Sequence, residues 1–131
     1  RIYRITGLGP LLGAISPLMF GPRFLADTAN KPVLQEWQRQ LKRSPRAGIS
    51  RAVMGVADRQ PVDAEIGRIS APTLVMAGAD DAAIAPAEAQ RIAELIPGAR
   101  FELIPDCGHS STLEQPEIVT ARLQEFPATV T

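Results

Sequence analysis

The sequence predicts an α/β fold in which a helical region precedes a strand–helix–strand–helix unit. Apolar residues recur at helical spacing before residue 60, and two short apolar runs, "TLVMAG" and "RFELI", follow after residue 70. The segment between those runs has the pattern of an amphipathic helix. A chain of 131 residues with 45% apolar content is long enough for one ordinary domain with a core.

Residues 1 to 60 form the first predicted region, and its character is helical. Pro32 fits the first turn of one helix, and Ser44-Pro45 fits the N-cap and first position of the next. The apolar side chains at helical spacing are Val33, Leu34, Trp37 and Leu41, followed by Ile49, Val53 and Val56.

Residues 61 to 131 form the second predicted region. A short helix "DAEIGRI" leads to the strand "TLVMAG", whose continuous apolar run is typical of a strand buried on both faces. The next helix starts at Pro86 and ends at Pro97-Gly98, with Ala89, Ile92, Ala93 and Ile96 on one face. After the strand "RFELI", one final helix "TLEQPEIVTARLQEF" begins at Ser111 or Thr112, with Glu114 placed for a capping box.

Polar side chains follow both predicted strands. A strand–helix–strand order requires a parallel pair, so both strands end at the same edge of the sheet, where α/β proteins bind ligands. The loops there are "GADDAAIAP" and "PDCGHSS", which bring Asp80, Asp81 and His109 to one place. An aspartate that accepts a hydrogen bond from an imidazole makes the other ring nitrogen a general base.

Two stretches, "APTLVMAGADDAAIAP" and "IPGARFELIPDCGHSSTLEQPEIV", resemble the C-terminal half of the α/β-hydrolase fold. The resemblance implies that Asp81, in Gly-x-x-Asp, is the acid of a catalytic triad and that His109, in Gly-His, is its base. It also implies that residues 1–60 are a cap or lid on an incomplete hydrolase domain. "FGPRFLAD" and "GVADR" resemble the lid of 3-oxoadipate enol-lactonase-like hydrolases, which implies a small ester or lactone substrate.

The nucleophile of that family lies in a Gly-x-Ser-x-Gly turn, and the sequence contains no such turn. The nearest string is "GISRA", but a polar, basic stretch precedes Ser50, which predicts a surface residue of a helix. Cys107 lies two residues from His109 in one tight turn, where a packed thiol is the expectation.

We therefore expect the serine and the oxyanion hole to lie in an N-terminal half, since "RIYRITG" resembles the middle of a longer chain. The chain alone is expected to hydrolyse nothing. Its exposed strand edge should associate with that half or with a swapped protomer.

Other interpretations stay open at this stage. Asp80 is expected to be solvated, and Asp81 and His109 taken singly could be a loop cap and a structural histidine. Phe20, Phe24 and Trp37 either line a substrate pocket or form the core of the cap. A non-catalytic binding module on an α/β scaffold is the alternative function.

Composition excludes several classes of partner. With 14 basic and 14 acidic residues, the chain has no charge excess for nucleic acid. Its apolar stretches fall short of the roughly 20 residues of a membrane span, and no secretory signal is evident. A single cysteine fits a cytoplasmic protein, and one histidine with scattered carboxylates implies no metal or organic cofactor. The basic residues Arg23, Arg39, Lys42 and Arg43 are candidates for holding a substrate carboxylate.

Overall fold

Helices occupy the chain before the first strand. The computed structural model describes residues 9–126. Residues 1–8, which are predicted to continue from an upstream segment, lie outside the described residues. The predicted helical character is confirmed, whereas the boundary between residues 60 and 61 stays a prediction. The elements are α1 (Gly9–Met19), α2 (Pro22–Ala26), a 3-10 turn (Thr28–Asn30), α3 (Lys31–Arg43), α4 (Arg46–Ala57) and α5 (Asp63–Ile66).

The boundary between α3 and α4 differs from the prediction. Ser44 is the C-cap of α3, because its amide donates to the carbonyls of Gln40 and Leu41. Its backbone is extended, with φ −65° and ψ 135°, as expected of a residue that precedes proline. Pro45 takes the N-cap position instead, and α4 begins at Arg46.

Two parallel strands form the sheet of the described residues. β1 (Leu74–Gly78) pairs with β2 (Arg100–Ile104), and the register runs from Leu74 opposite Arg100 to Gly78 opposite Ile104. The connecting helix α6 (Pro86–Leu95) packs against both strands. The predicted parallel pair is confirmed, although Ile92, which was expected on the buried face of α6, is 39% exposed.

The last predicted helix is two helices, α7 (Ser111–Glu114) and α8 (Pro116–Glu125). They are separated at Gln115, whose φ of −134° and ψ of 54° are not helical, because the ring of Pro116 disfavours a helical residue before it. The predicted capping box is only half formed, and it starts at Ser110 instead of Ser111 or Thr112. The Glu114 carboxylate accepts from the amide of the N-cap Ser110, but the Ser110 hydroxyl makes no capping hydrogen bond, and Glu114 also reaches the distant Gly21 amide.

The core lies below the loop that follows β2. Ile104, Cys107 and Val119 are buried together, and Met76 and Ile118 pack against them. Helix α8 therefore covers one face of the sheet next to the loop that carries His109. No helix between residues 9 and 126 has the length and apolar character needed to cross a membrane.

Candidate active site

The loops after β1 and β2 are joined by backbone hydrogen bonds. The Ala79 amide donates to the Ile104 carbonyl and the Asp80 amide to the Cys107 carbonyl, each at 2.8 Å. Gly78 allows this approach, because a Cβ atom there would overlap the carbonyl oxygens of Cys107 and Gly108. The end of the sheet thus fixes the relative position of the two loops.

Asp81 and His109 meet at this edge. The Asp81 Oδ2 atom lies 2.8 Å from His109 Nδ1, while its Oδ1 atom accepts hydrogen bonds from the Ala83 and Ile84 amides, both at 2.9 Å. The Asp81 side chain is only 9% exposed and the His109 side chain is 34% exposed. A carboxylate held on both oxygens keeps the proton on Nδ1, so Nε2 is left as the basic nitrogen.

The environment of Asp81 favours its ionised form. Burial acts to raise its pKa, but the Ile84 amide, the His109 imidazole and the Ala83 amide together lower that pKa below the ordinary value of 3.8. Asp80 is exposed, and its backbone amide is tied to the Cys107 carbonyl. The structure thus brings Asp81, the residue that the resemblance indicated, to the imidazole.

The His109 loop is fastened to the helical segment that precedes β1. We define the cap–loop junction as residues 19–24 together with residues 105–114, named after the cap that the resemblance implies. Arg23 pairs with Asp106, a residue whose φ of 52° lies in the left-handed region that aspartate tolerates. The Ser110 amide donates to the Met19 carbonyl at 2.9 Å. These contacts hold the histidine loop from the cap side.

Glu114 completes the junction, and sequence reasoning missed this role. Its Oε2 atom accepts hydrogen bonds from the Gly21 amide at 2.8 Å and the Gly108 amide at 3.0 Å, and its Oε1 atom accepts from the Ser110 amide at 3.2 Å. Glu114 is only 8% exposed. The one sequence signal was an acidic residue shortly after a glycine-containing turn, which has many free amides.

The described serine and cysteine candidates are unsuited to act as the nucleophile. Ser50 is exposed on α4, which is a helix, so the strand–turn–helix setting of a nucleophilic serine is absent around it. Cys107 is fully buried, and burial, with the carboxylates of Glu114, Asp80 and Asp81, raises the pKa of its thiol to about 12. A thiol that stays protonated at neutral pH is a poor nucleophile.

The three aromatic side chains considered for the substrate form one cluster. Phe20 and Phe24 are buried and stacked with ring centroids 5.3 Å apart, and Trp37 meets Phe20 edge-on at 5.1 Å. Trp37 also lines a cleft of about 510 Å³ with an almost wholly apolar lining. The cleft residues are Pro32, Val33, Glu36, Trp37, Gln40 and Leu113.

Two of the four basic side chains considered for a substrate carboxylate are already paired, Arg23 with Asp106 and Arg39 with Glu36. Within residues 9–126, no group of three or more histidine, cysteine or acidic side chains is arranged to hold a metal ion.

An acid–imidazole pair at the carboxyl edge of a parallel sheet, next to a helical segment, is the arrangement of a hydrolase-type site. The model of the alpha/beta hydrolase family matches residues 2–122, and the chain belongs to that family.

Solved structures and curated relatives agree with this assignment. A thermophilic esterase from Thermogutta terrifontis is 29% identical with a TM-score of 0.86, over 98% of this chain and 47% of the esterase. The enol-lactonase from Burkholderia xenovorans LB400 is 25% identical with a TM-score of 0.83, over 95% of this chain and 46% of that protein. 3-Oxoadipate enol-lactonase 2 of Acinetobacter baylyi is 27% identical over 117 residues, which are 89% of this chain and 42% of the relative. The chain thus spans less than half the length of these proteins.

Proposed function

We propose that this chain supplies the acid and the base of a serine hydrolase that acts on a small ester or lactone. The observation that carries the proposal is the 2.8 Å contact between Asp81 and His109 at the edge of the sheet. Membership of the hydrolase family and likeness to an esterase and an enol-lactonase support it. The apolar cleft of about 510 Å³ favours a small substrate, and the lone cysteine favours a cytoplasmic location.

In this mechanism His109 Nε2 removes the proton of a serine hydroxyl as that oxygen attacks the substrate carbonyl. The imidazolium that forms is stabilised by the ionised Asp81 carboxylate through Nδ1. The proton then passes from His109 to the leaving alkoxide, and an acyl-enzyme remains. The same nitrogen then deprotonates a water molecule, which attacks the acyl group. This releases the carboxylic acid, and the proton returns from His109 to the serine oxygen.

The serine belongs to another segment in this proposal. The sequence has no Gly-x-Ser-x-Gly turn, and neither Ser50 nor Cys107 has a suitable environment. The partner that we propose is the N-terminal half of a hydrolase fold, supplied by a longer chain or by a swapped protomer. The chain alone should then bind no oxyanion and turn over no ester.

Complementation tests this proposal. Residues 1–131 are expressed alone and together with a separately expressed N-terminal half of an esterase-like relative, and a fluorophosphonate probe and p-nitrophenyl acetate report the active serine. We expect labelling and turnover only in the complex. His109→Ala should lower kcat by about 10⁶-fold, and Glu125→Gln, which alters a surface carboxylate, should leave it unchanged.

Two results would contradict the proposal. Labelling of residues 1–131 alone by the serine probe would place a nucleophile within this chain, whether or not Ser50→Ala abolishes the labelling. An active complex that is insensitive to His109→Ala would remove the base. A non-catalytic module on an α/β scaffold is the alternative, and inactivity of every complex that assembles stably would support it.

The cleft indicates which substrates to compare. Its lining is apolar, and the acidic side chain at its rim, Glu36, is already paired with Arg39 and Gln40. We expect neutral butyl esters and lactones to be hydrolysed faster than matched esters that carry a carboxylate. A strong preference for the charged member would instead support the earlier expectation of a carboxylate held by Arg23, Arg39, Lys42 or Arg43.

A further inference from the structure

Glu114 is a buried acidic side chain whose contacts differ from those of a surface carboxylate. Its described hydrogen bonds are all accepted from backbone amides, and two of those amides lie in the His109 loop. The third belongs to Gly21, 93 residues earlier in the chain. A carboxylate is rarely buried unless hydrogen bonds offset the loss of water, and three amide donors satisfy that requirement here.

The backbones of Gly21 and Gly108 are packed closely together beside the Glu114 carboxylate. A Cβ atom on Gly108 would overlap the Gly21 nitrogen and the Phe20 carbonyl carbon, so the two backbones are in direct contact. A Cβ atom on Gly21 would lie 3.1 Å from Glu114 Oε2. The Glu114 carboxylate therefore sits against both backbones and has its acceptor atoms aimed at their amides.

We propose that Glu114 is a positioning residue for His109, because it clamps the histidine loop to the start of the cap. The clamp holds Gly108 and Ser110, the residues on either side of His109, and a shift of either would move the imidazole relative to Asp81. This inference rests on the proposed function for its catalytic consequence. The clamp itself can be tested without any activity.

The test uses the chain's single histidine, which gives one unambiguous imidazole signal. Residues 1–131 are labelled with ¹⁵N-histidine and ¹⁵N-glycine and studied by NMR, alone or with an unlabelled N-terminal half if that is needed for folding. Glu114→Ala removes both acceptor oxygens and with them all three hydrogen bonds. Glu114→Gln keeps the side-chain shape but leaves one oxygen acceptor and places an amide donor against a backbone N–H.

We expect the wild-type protein to show Nδ1 protonated and bonded to Asp81. In Glu114→Ala that proton signal should broaden or disappear, with mixed tautomers, and the Gly21 and Gly108 amide resonances should move upfield. Glu114→Gln should give an intermediate result, and it serves as the test if Glu114→Ala does not fold. Unchanged histidine signals in a folded Glu114→Ala or Glu114→Gln protein would overturn the proposal.

Two control variants separate positioning from general stability. Val119→Ala opens a space in the core beside Cys107, and Glu117→Gln changes an exposed carboxylate three residues beyond Glu114. Both should retain the wild-type imidazole spectrum. If Val119→Ala disturbs the imidazole as much as Glu114→Ala does, at equal loss of stability, Glu114 is merely structural.

Kinetics in the active complex add a second measurement. We expect Glu114→Ala to lower kcat by about 10²-fold with little change in KM, because a misplaced base slows the chemical step more than it weakens substrate binding. A change in KM alone would overturn the positioning role. If the wild-type complex hydrolyses no ester, the proposed function fails, and the NMR result still decides the role of Glu114.

Discussion

The cap–loop junction and the helices α3 and α4 are packed very differently. The junction contains Phe20 at 1% exposure, Cys107 at 0% and the buried Glu114, whereas α3 and α4 contain no fully buried residue. On α4, Val53 and Val56 are 62% and 61% exposed. Within the described residues, the buried contacts of the helical segment before β1 are therefore concentrated at the junction, next to the catalytic histidine of the proposed mechanism.

The largest effect on stability is expected from Phe20→Ala. This side chain is fully buried between Phe24 and Trp37, so its removal should lower the free energy of unfolding by about 3–5 kcal/mol. Urea unfolding measures the change. Met54→Ala on α4 is the control, since Met54 is 56% exposed, and an equal loss in both variants would mean that the junction is not the tighter region.

The same substitution, glycine to alanine, should have opposite signs in the two regions. Gly108→Ala places a methyl group where it overlaps the backbone atoms of Gly21 and Phe20, so it should destabilise the protein by about 3 kcal/mol. Gly48→Ala on α4 meets no atom within 4 Å and should stabilise its helix by about 0.5–1 kcal/mol. Thermal unfolding of both variants checks the pair, and a destabilising Gly48→Ala would contradict the comparison.

Asp81→Asn should cost about 1–2 kcal/mol at neutral pH, because the ionised form makes the stronger hydrogen bonds. The folded protein lowers the pKa of Asp81, so the stability that it contributes is complete above the ordinary value of 3.8 and is lost as the pH falls below it. The difference in free energy of unfolding between wild type and Asp81→Asn should therefore disappear below about pH 4. Denaturant midpoints of both proteins, measured from pH 7 to pH 3, test this. A difference in stability that does not change with pH would contradict an ionised Asp81 carboxylate in the contact with His109.

Val53→Ala should have the smallest effect of the series. The side chain is mostly exposed on α4, so the free energy of unfolding should change by less than about 0.5 kcal/mol in the isolated chain. Chemical denaturation provides the measurement. A loss of more than 1.5 kcal/mol, appearing only when an N-terminal half is added, would show that α4 is covered in the complex.

The sequence predicted the parts of the fold that depend on local pattern. Continuous apolar runs located both strands, and the intervening helix required them to be parallel, as observed for Leu74–Gly78 and Arg100–Ile104. The break at Gln115 was missed because helical spacing continues through it, although Pro116 was a signal. Ser44 was misassigned because a serine before proline suits either end of a helix.

The candidate site was predictable only in part. Asp80, Asp81 and His109 follow strands that must end together, so a carboxylate beside the imidazole could be foreseen from chain order. The resemblance to the hydrolase family selected Asp81, which makes the contact.

The contact of Glu114 with Gly21 could not be foreseen, because Gly21 is 93 residues away and its amide is identified only by the folded backbone. Local capping propensity pointed to the short-range contact with the Ser110 amide, and the folded chain adds the contacts with Gly108 and Gly21.

The edge-on contact between Trp37 and Phe20 has an experimental consequence. Trp37 is the only tryptophan, and it touches the junction on one side and the apolar cleft on the other. Its intrinsic fluorescence is thus a native optical probe with a single source, sensitive both to detachment of the cap and to a ligand in the cleft. A red-shifted emission would report the first event, and quenching without a shift would report the second.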